Sequence, residues 1–534
     1  MSVICKGFLL LVLFTTKLEA LDSKFAFASY YGDHMVLQRG PQRANVWGYA
    51  SDINVTVTVS IEGVGQYQTS VVEGPFLDRG VWSIKLPAVF QGGPYVLTAE
   101  LVDGSSITIK DILFGDVWVC SGQSKMEFTL RNEFNASLEF AEAINYQNIR
   151  IFTVNHSESG YQQFEFSSVE ERWSLPNNKT LANTGSPSQW FYFSAVCWLY
   201  GKHLYEKLGY PIGLIESAWG GTMVESWSDD ESLAKCGLKP PPRNRTYVGF
   251  PKYPALLWNS MVHPFVNYTI YGAIWYQGEA NAAPTGTPAM MNRYNCTFPA
   301  MIDGWRRQFN EGSNGETNAI FPFGFVQLAP WRNNATITVG FPDIRWHQTA
   351  DYGYVPNERM KNVFMAVALD LPDYTSPFTG IHPRDKEDVG KRLSLAGLGV
   401  AYNHIDNRYT GPFPTKFEIF VAQNTTQITY DDQHLDIRSK DGFEVCCLDE
   451  SPSRIKCADD NAKWYPAPIN ASDNSSVTIG YGGVCGVALV SSIRYAWRES
   501  PCPFKACAVY TKLNDLPGPP FIEVMLDPSV FVYH

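Results

Sequence analysis

The sequence is short of charge. Asp, Glu, Lys and Arg make up 18% of its 534 residues, and the 42 basic side chains fall below the 53 acidic ones, a net charge of −11. That excludes the basic surface a nucleic-acid partner requires. There is no H-E-x-x-H and no C-x-x-C, the spacings that present zinc ligands, and no G-x-G-x-x-G to open a dinucleotide-binding unit. Metal-dependent hydrolysis and a nucleotide-binding oxidoreductase are therefore not expected. No segment approaches the roughly 18 uninterrupted apolar residues of a membrane-crossing helix, and internal repeats, heptads and low-complexity tracts are lacking. Aromatic residues are plentiful: 15 Trp, 28 Tyr and 32 Phe, 14% of the chain. They favour β-rich architecture or sugar-facing surfaces. With 45% apolar residues the chain can build several cores, at about 100–200 residues per domain.

Residues 1–20 have the layout of a secretory signal peptide: Lys6, the apolar run Phe8 to Phe14, then Leu18-Glu19-Ala20 at the cleavage position. Asn-x-Ser/Thr sequons stand at Asn54, Asn135, Asn155, Asn178, Asn244, Asn267, Asn295, Asn334, Asn424, Asn470 and Asn474, as expected of a glycoprotein. Of the 11 cysteines, Cys5 leaves with the signal. Cys446, Cys447, Cys457, Cys485, Cys502 and Cys507 crowd the C-terminal part and predict a local disulfide framework of undetermined pairing. Cys197, in an apolar helix-like run, is expected as a buried thiol.

Three further regions follow the signal. Residues 21–110 alternate short β-prone runs (Thr56 to Val59, Val81 to Leu86, Tyr95 to Ala99) with turn signals such as Gln91-Gly92-Gly93-Pro94, predicting a sandwich-like β domain. In 111–412, apolar strands alternate with helical stretches, Phe193 to Leu208 and Asp385 to Tyr402 among them. That predicts an α/β domain with a parallel sheet. Residues 413–534 return to β character and hold the cysteine cluster.

Ligands of open α/β sheets bind beyond the carboxyl ends of the strands. Small polar residues gather at those ends here: Gln123-Ser124-Lys125 after Ile112 to Cys120, Trp219-Gly220-Gly221-Thr222 after Pro211 to Ile215, and Gln277-Gly278-Glu279-Ala280-Asn281 after Ile270 to Tyr276. Gln327 follows Phe323 to Val326, and Asp370, Asp373 and His382 follow Val363 to Leu369. Ser124, after a glycine at a strand-to-helix turn, is the candidate nucleophile, and its turn equally suits an N-cap serine. Among nine histidines, His382 alone lies in a loop between a late strand and a helix, and it is the candidate base. Backbone N–H groups of Ser124, Gly220, Gly221 and Gly278 and the Asn281 amide are candidate oxyanion donors. A plain tight turn explains the glycine pair equally well.

Gly122-Gln123-Ser124, Trp219-Gly220-Gly221-Thr222, Trp275 to Asn281 and Ile381-His382-Pro383-Arg384-Asp385-Lys386 together resemble the SGNH hydrolase superfamily. Met35 to Gly40 and Ile493 to Trp497 narrow the likeness to the sialate O-acetylesterase family, in the same order along nearly the whole mature chain. The resemblance implies an SGNH-type (flavodoxin-like) core. It implies a cofactor-free serine esterase that removes O-acetyl groups from sialic acids, typically at the 9-hydroxyl, in lysosomes or outside the cell. Ser124 matches the nucleophile, His382 the base, and Ser124, the 220–221 glycines and Asn281 the oxyanion donors. Gln123, Lys125, Gln277 and Glu279 lie where substrate contacts are expected. Two positions depart from the family. Lys125 stands where Asn is usual, and Thr379 where many members carry the acid that orients the histidine. Asp373 is the first choice for that acid, with Asp370, Asp385 or a backbone carbonyl as alternatives. The rival readings are an acetylesterase for other O-acetylated polysaccharides and a non-catalytic glycan-binding protein.

Overall fold

The computed structural model describes residues 25–74, 79–182, 193–240, 242, 249–405, 408–447, 457, 462–485, 490–524 and 531–533. Residues 1–20, expected as a signal peptide, the sequon at Asn244 and part of the Pro240-Pro241-Pro242 loop lie outside them.

One long strand, Ser106–Gly122 (β1), organises the molecule. Its first half alternates exposed and buried residues, and from Ile112 to Gly122 every residue is buried. A strand that passes from a half-solvated antiparallel edge into a sheet covered on both faces has this pattern. The early half pairs antiparallel with Gly92–Leu101, which continues to Thr56–Ile61 and Gly65–Ser70. The later half is the centre of the α/β sheet. The 110/111 division drawn from the sequence therefore falls inside a single strand.

Ile149–Val154 (β2), Val169–Ser174 (β3), Ile212–Ala218 (β4), Gly272–Tyr276 (β5), Phe323–Gln327 (β6) and Val363–Val367 (β7) complete that sheet in the order β3-β2-β4-β1-β5-β6-β7. All neighbours are parallel except β3, which runs antiparallel to β2. The fold is a mixed α/β fold. Helix Ala195–Leu208 (α2, numbered after the single turn Ser124–Glu127, α1) begins at Ser194, whose hydroxyl accepts from the Cys197 N–H, and stops at Gly209 in the left-handed region. Helix Pro288–Gly312 (α3) opens on the Thr287 cap with proline at its first position. Phe341–His347 (α4) and Glu387–Ala401 (α5) follow.

The two faces are set by side-chain alternation. Trp118 of β1 packs with Tyr200 of α2 and Phe364 of β7, ring centroids 5.1 and 6.1 Å away. Trp118 lies opposite Gly272, so Trp275, three residues on, points to the other face. There it meets Phe298 and Trp305 of α3 at 6.4 and 6.1 Å. The sheet is thus covered on both sides.

The two flanking regions are fastened to this core by buried polar contacts. Asp116 of β1 has no exposure and accepts from Gln38, Arg39, Tyr210 and Tyr402. This explains the Met35 to Gly40 motif as an anchor. In the C-terminal part, a five-stranded and a four-stranded sheet are held by Cys446–Cys457, Cys447–Cys485 and Cys502–Cys507. Cys236–Cys296 pairs a loop helix to α3. Cys197 is not a thiol: it is bonded to Cys120, so α2 is tied covalently to β1. The apolar run hid this because a disulfide in a sheet-helix interface is as buried as its neighbours.

Among the sequons, Asn54, Asn135, Asn178, Asn334, Asn470 and Asn474 are exposed. Asn295 lies within α3 with its amide donating to Asp351 at 2.7 Å, beside the Cys236–Cys296 bond. Asn155 donates to Ser168, also at 2.7 Å. No helix among the described residues is long and apolar enough to cross a membrane.

Candidate active site

The chain leaves β1 to build β2 and β4 on one side, then crosses to β5, β6 and β7 on the other. The carboxyl end of β1 is therefore the topological switch point, where two loops diverge and leave a crevice. Gly122 sits there at φ +139°, and a Cβ on it would lie 2.3 Å from the Tyr276 carbonyl oxygen. Only glycine permits that approach. The turn is stitched to both neighbouring strand ends: the Gln123 N–H donates to the Tyr276 carbonyl at 3.0 Å, and the Trp219 N–H to the Gly122 carbonyl at 3.1 Å. Ser124 follows, half-buried, at the first position of α1. That helix is one turn long, so it offers free N–H groups rather than a long helix's dipole.

His382 arrives from 258 residues downstream, its Nε2 2.9 Å from Ser124 Oγ. Its Nδ1 lies 2.7 Å from the Phe378 carbonyl oxygen. A carbonyl can only accept, so Nδ1 carries the proton and Nε2 faces the serine hydroxyl as an acceptor. The loop is fixed by the Ser376 hydroxyl, which donates to the His382 carbonyl at 2.7 Å, and by Thr379 in the left-handed region at φ +70°. Phe378 packs edge-on against Phe128, centroids 5.5 Å apart.

Asp373 does not reach the imidazole. Its carboxylate is taken by Arg384, at 2.7 and 3.0 Å from the guanidinium, and by the Arg384 N–H. Asp370 pairs with Arg392 and Tyr510, and Asp385 accepts from the Asp388 N–H. The carbonyl alternative is the one the geometry presents. Burial lowers the His382 pKa to about 4; the nearby charges of Lys125 and Lys386 act in the same direction, against the Phe378 carbonyl and Glu279.

The expected substrate contacts form a buried layer beneath this dyad. Lys125 has no exposure: its ammonium lies 3.0 Å from Glu279 and donates to the Ala329 carbonyl at 3.2 Å. It thereby links the Ser124 turn to the loops after β5 and β6. Gln123 accepts from the Ala280 N–H at 3.1 Å, and Gln277 donates to Thr222 and Asn281 while accepting from Tyr294. Asn281 is also buried. Its oxygen accepts from Val224 and Gln277, and its nitrogen donates to Glu225 at 2.8 Å. The structure does not present Asn281 to the crevice, and Gly278 packs on Ile344. The Gly220 N–H donates to Glu127 at 2.6 Å. The Ser124 and Gly221 N–H groups have no hydrogen-bond partner among the described residues.

With this geometry in view, the likeness to known proteins is decisive. Residues 114–372 match the family described as carbohydrate esterase, sialic acid-specific acetylesterase, and residues 415–525 match the sialate O-acetylesterase C-terminal domain. A sialate O-acetylesterase of Homo sapiens is 40% identical over 510 residues, covering 94% of this chain and 93% of its own length. The chain belongs to the sialate O-acetylesterase family. The Mus musculus sialate O-acetylesterase is likewise 40% identical, over 536 residues, covering 93% of this chain and 94% of its own length. A carbohydrate acetylesterase from Xanthomonas citri superposes with a TM-score of 0.74 at 28% identity, over 94% of this chain and all of its own. The chain is an esterase of the sialate O-acetylesterase family, which removes the non-catalytic reading.

In this family member the C-terminal region braces the crevice. Arg345, wholly buried, donates to the carbonyls of Arg498 and Glu499 at 2.6 and 2.8 Å, and Arg332 pairs with Glu499. Sequence reading offered a backbone carbonyl without naming Phe378, since a carbonyl has no sequence signature. It missed Glu127 and His156, paired at 3.2 Å beside Ser124. Glu127 was within reach of inference, three residues after Ser124 on its helical turn.

Burial pushes the Glu133 pKa up to about 7 and that of Glu216 up to about 8, from 4.5. Asp385 is raised too, by burial and then by Asp388. In that window the folded chain holds more protons than the unfolded one, so stability falls as pH rises through it. His382 works the opposite way only between about 4 and 6.5, and Lys386, lowered to about 7 by burial, only above that. Asp351 and Asp373, held low against burial by His347 and Arg384, lose their contribution only below the usual carboxylate range. The melting temperature is expected to peak near about pH 5 and fall towards pH 8. Thermal melts across that range check it, and a rising profile contradicts it.

Proposed function

We propose that the chain is a serine esterase hydrolysing O-acetyl esters of sialic acids, 9-O-acetyl preferred, on an SGNH-type core. The observation that carries the reading is the 2.9 Å contact between Ser124 Oγ and His382 Nε2, with Nδ1 fixed on a carbonyl. His382 takes the Ser124 proton as Oγ attacks the acetyl carbonyl. The tetrahedral oxyanion forms beside the Ser124 and Gly221 N–H groups, which have no other partner among the described residues to give up. The sugar hydroxyl leaves with the proton from His382. Water, activated by the same nitrogen, then attacks the acetyl-enzyme and restores Ser124.

A base with a pKa near 4 stays neutral in an acidic compartment. This agrees with a lysosomal or secreted protein, as do the five disulfides. The acid limb of kcat/KM is expected near about pH 4, with activity retained at about pH 5. The second reading, an acetylesterase for other O-acetylated polysaccharides, is favoured by the likeness to the Xanthomonas citri carbohydrate acetylesterase. Acetate release from 9-O-acetylated sialic acid, its 4-O-acetyl isomer and acetylated xylan separates the two. The proposal expects the 9-O ester to be fastest, and faster release from xylan would establish the second reading.

A further inference from the structure

The reaction uses one side of Ser124, where His382 sits. On the other side is a group of side chains to which the hydrolytic steps give no task. Glu127 accepts from the Gly220 N–H at 2.6 Å. A Cβ on Gly220 would lie 2.8 Å from Glu127 Oε2 and 3.1 Å from Ser124 Cβ, so the carboxylate is an immediate neighbour of the nucleophile. Its other oxygen is 3.2 Å from His156 Nε2, and that nitrogen also lies 3.0 Å from the Ala218 carbonyl. Nε2 thereby carries a proton, and Nδ1, with no partner among the described residues, is left to meet a ligand. The imidazole lies flat on Trp219, centroids 4.3 Å apart and planes within 1°. Trp219 meets the edge of Phe250 at 6.4 Å. The Glu127 and His156 side chains are 14% and 39% exposed, and Phe250 is 48% exposed.

A rigid aromatic wall beside a partly exposed carboxylate and an open imidazole nitrogen is suited to a polyhydroxylated ligand. The rings cover its C–H surface, while the carboxylate accepts from its hydroxyls and Nδ1 hydrogen-bonds to them. We propose that Glu127, His156 and Trp219 form a saccharide subsite that holds the polyol bearing the acetyl group against Ser124. This rests on the reading of Ser124 as an esterase nucleophile acting on a sugar ester. It adds which side chains select the alcohol half of the substrate.

The test compares a sugar ester with an ester that has no sugar. kcat/KM is measured on 9-O-acetylated sialic acid, acetylated xylan and p-nitrophenyl acetate, for the wild type, His156→Ala and Glu127→Gln. The subsite predicts that the sugar-to-aryl ratio of kcat/KM falls about tenfold or more in both variants, about 1.4 kcal/mol, carried mainly by KM. His156 is on the surface, so its variant keeps the fold, and Glu127→Gln keeps an acceptor for Gly220 while weakening acceptance from sugar hydroxyls. A parallel loss on all three esters would overturn the proposal, because the side chains would then only support the nucleophile. An unchanged ratio in both variants would overturn it as well. If the wild type ignores the sialate ester but cleaves xylan acetate, the sialate reading fails, and the xylan-to-aryl ratio still decides the subsite.

Discussion

His382→Ala is expected to lower kcat by roughly 10⁴- to 10⁶-fold, while Asp373→Asn lowers it by less than about tenfold. The contrast follows from the two contacts of the imidazole. Nε2 faces Ser124 at 2.9 Å and Nδ1 faces the Phe378 carbonyl at 2.7 Å. Without the ring, no group remains to take the serine proton. Without the Asp373 charge, only the link to Arg384 weakens. A triad in which Asp373 orients the histidine would instead lose about 10⁴ on Asp373→Asn. Steady-state rates of the two variants on one acetyl ester distinguish the arrangements, and a large loss in Asp373→Asn would refute carbonyl orientation.

The second large effect concerns stability. The Cys120–Cys197 bond closes a loop with a sequence separation of 77, while Cys502–Cys507 closes one of 5. Loop-closure entropy makes the first worth about 4–5 kcal/mol and the second about 2. The first also joins β1, just before the Ser124 turn, to the first turn of α2. The double variant Cys120→Ala/Cys197→Ala is expected to lose about 4 kcal/mol of unfolding free energy in urea titration, roughly twice the loss from removing Cys502–Cys507. Equal losses would show that loop length does not govern the effect.

Much of the site was legible because the α/β topology delivers strand ends to one edge. Ser124, the 220–221 glycines and His382 follow apolar runs that the structure realises as β1, β4 and β7, and those runs carry their pattern without help from distant contacts. Helix α5 was expected over 385–402 and spans Glu387–Ala401; α2 was expected over 193–208 and spans Ala195–Leu208. Helix α3 was not foreseen, because the internal Pro299 breaks its pattern and tertiary packing of Phe298 and Trp305 sustains it. Nor was the role of Gln123, Lys125, Gln277, Glu279 and Asn281. Polar residues at a strand end look alike in sequence whether they face the crevice or satisfy one another beneath it. Here they do the latter, and Lys125 with Glu279 shows why: each charge is buried and needs the other. The Gly221 N–H and the Phe378 carbonyl are backbone groups, which every residue has.

Ser124 is expected to carry the hydrolysis of sialate O-acetyl esters. Acetate release from 9-O-acetylated sialic acid by the purified mature chain, beside Ser124→Ala, tests it most directly. Turnover is expected in the wild type, and none above background in the variant. Equal release by the two proteins would contradict it.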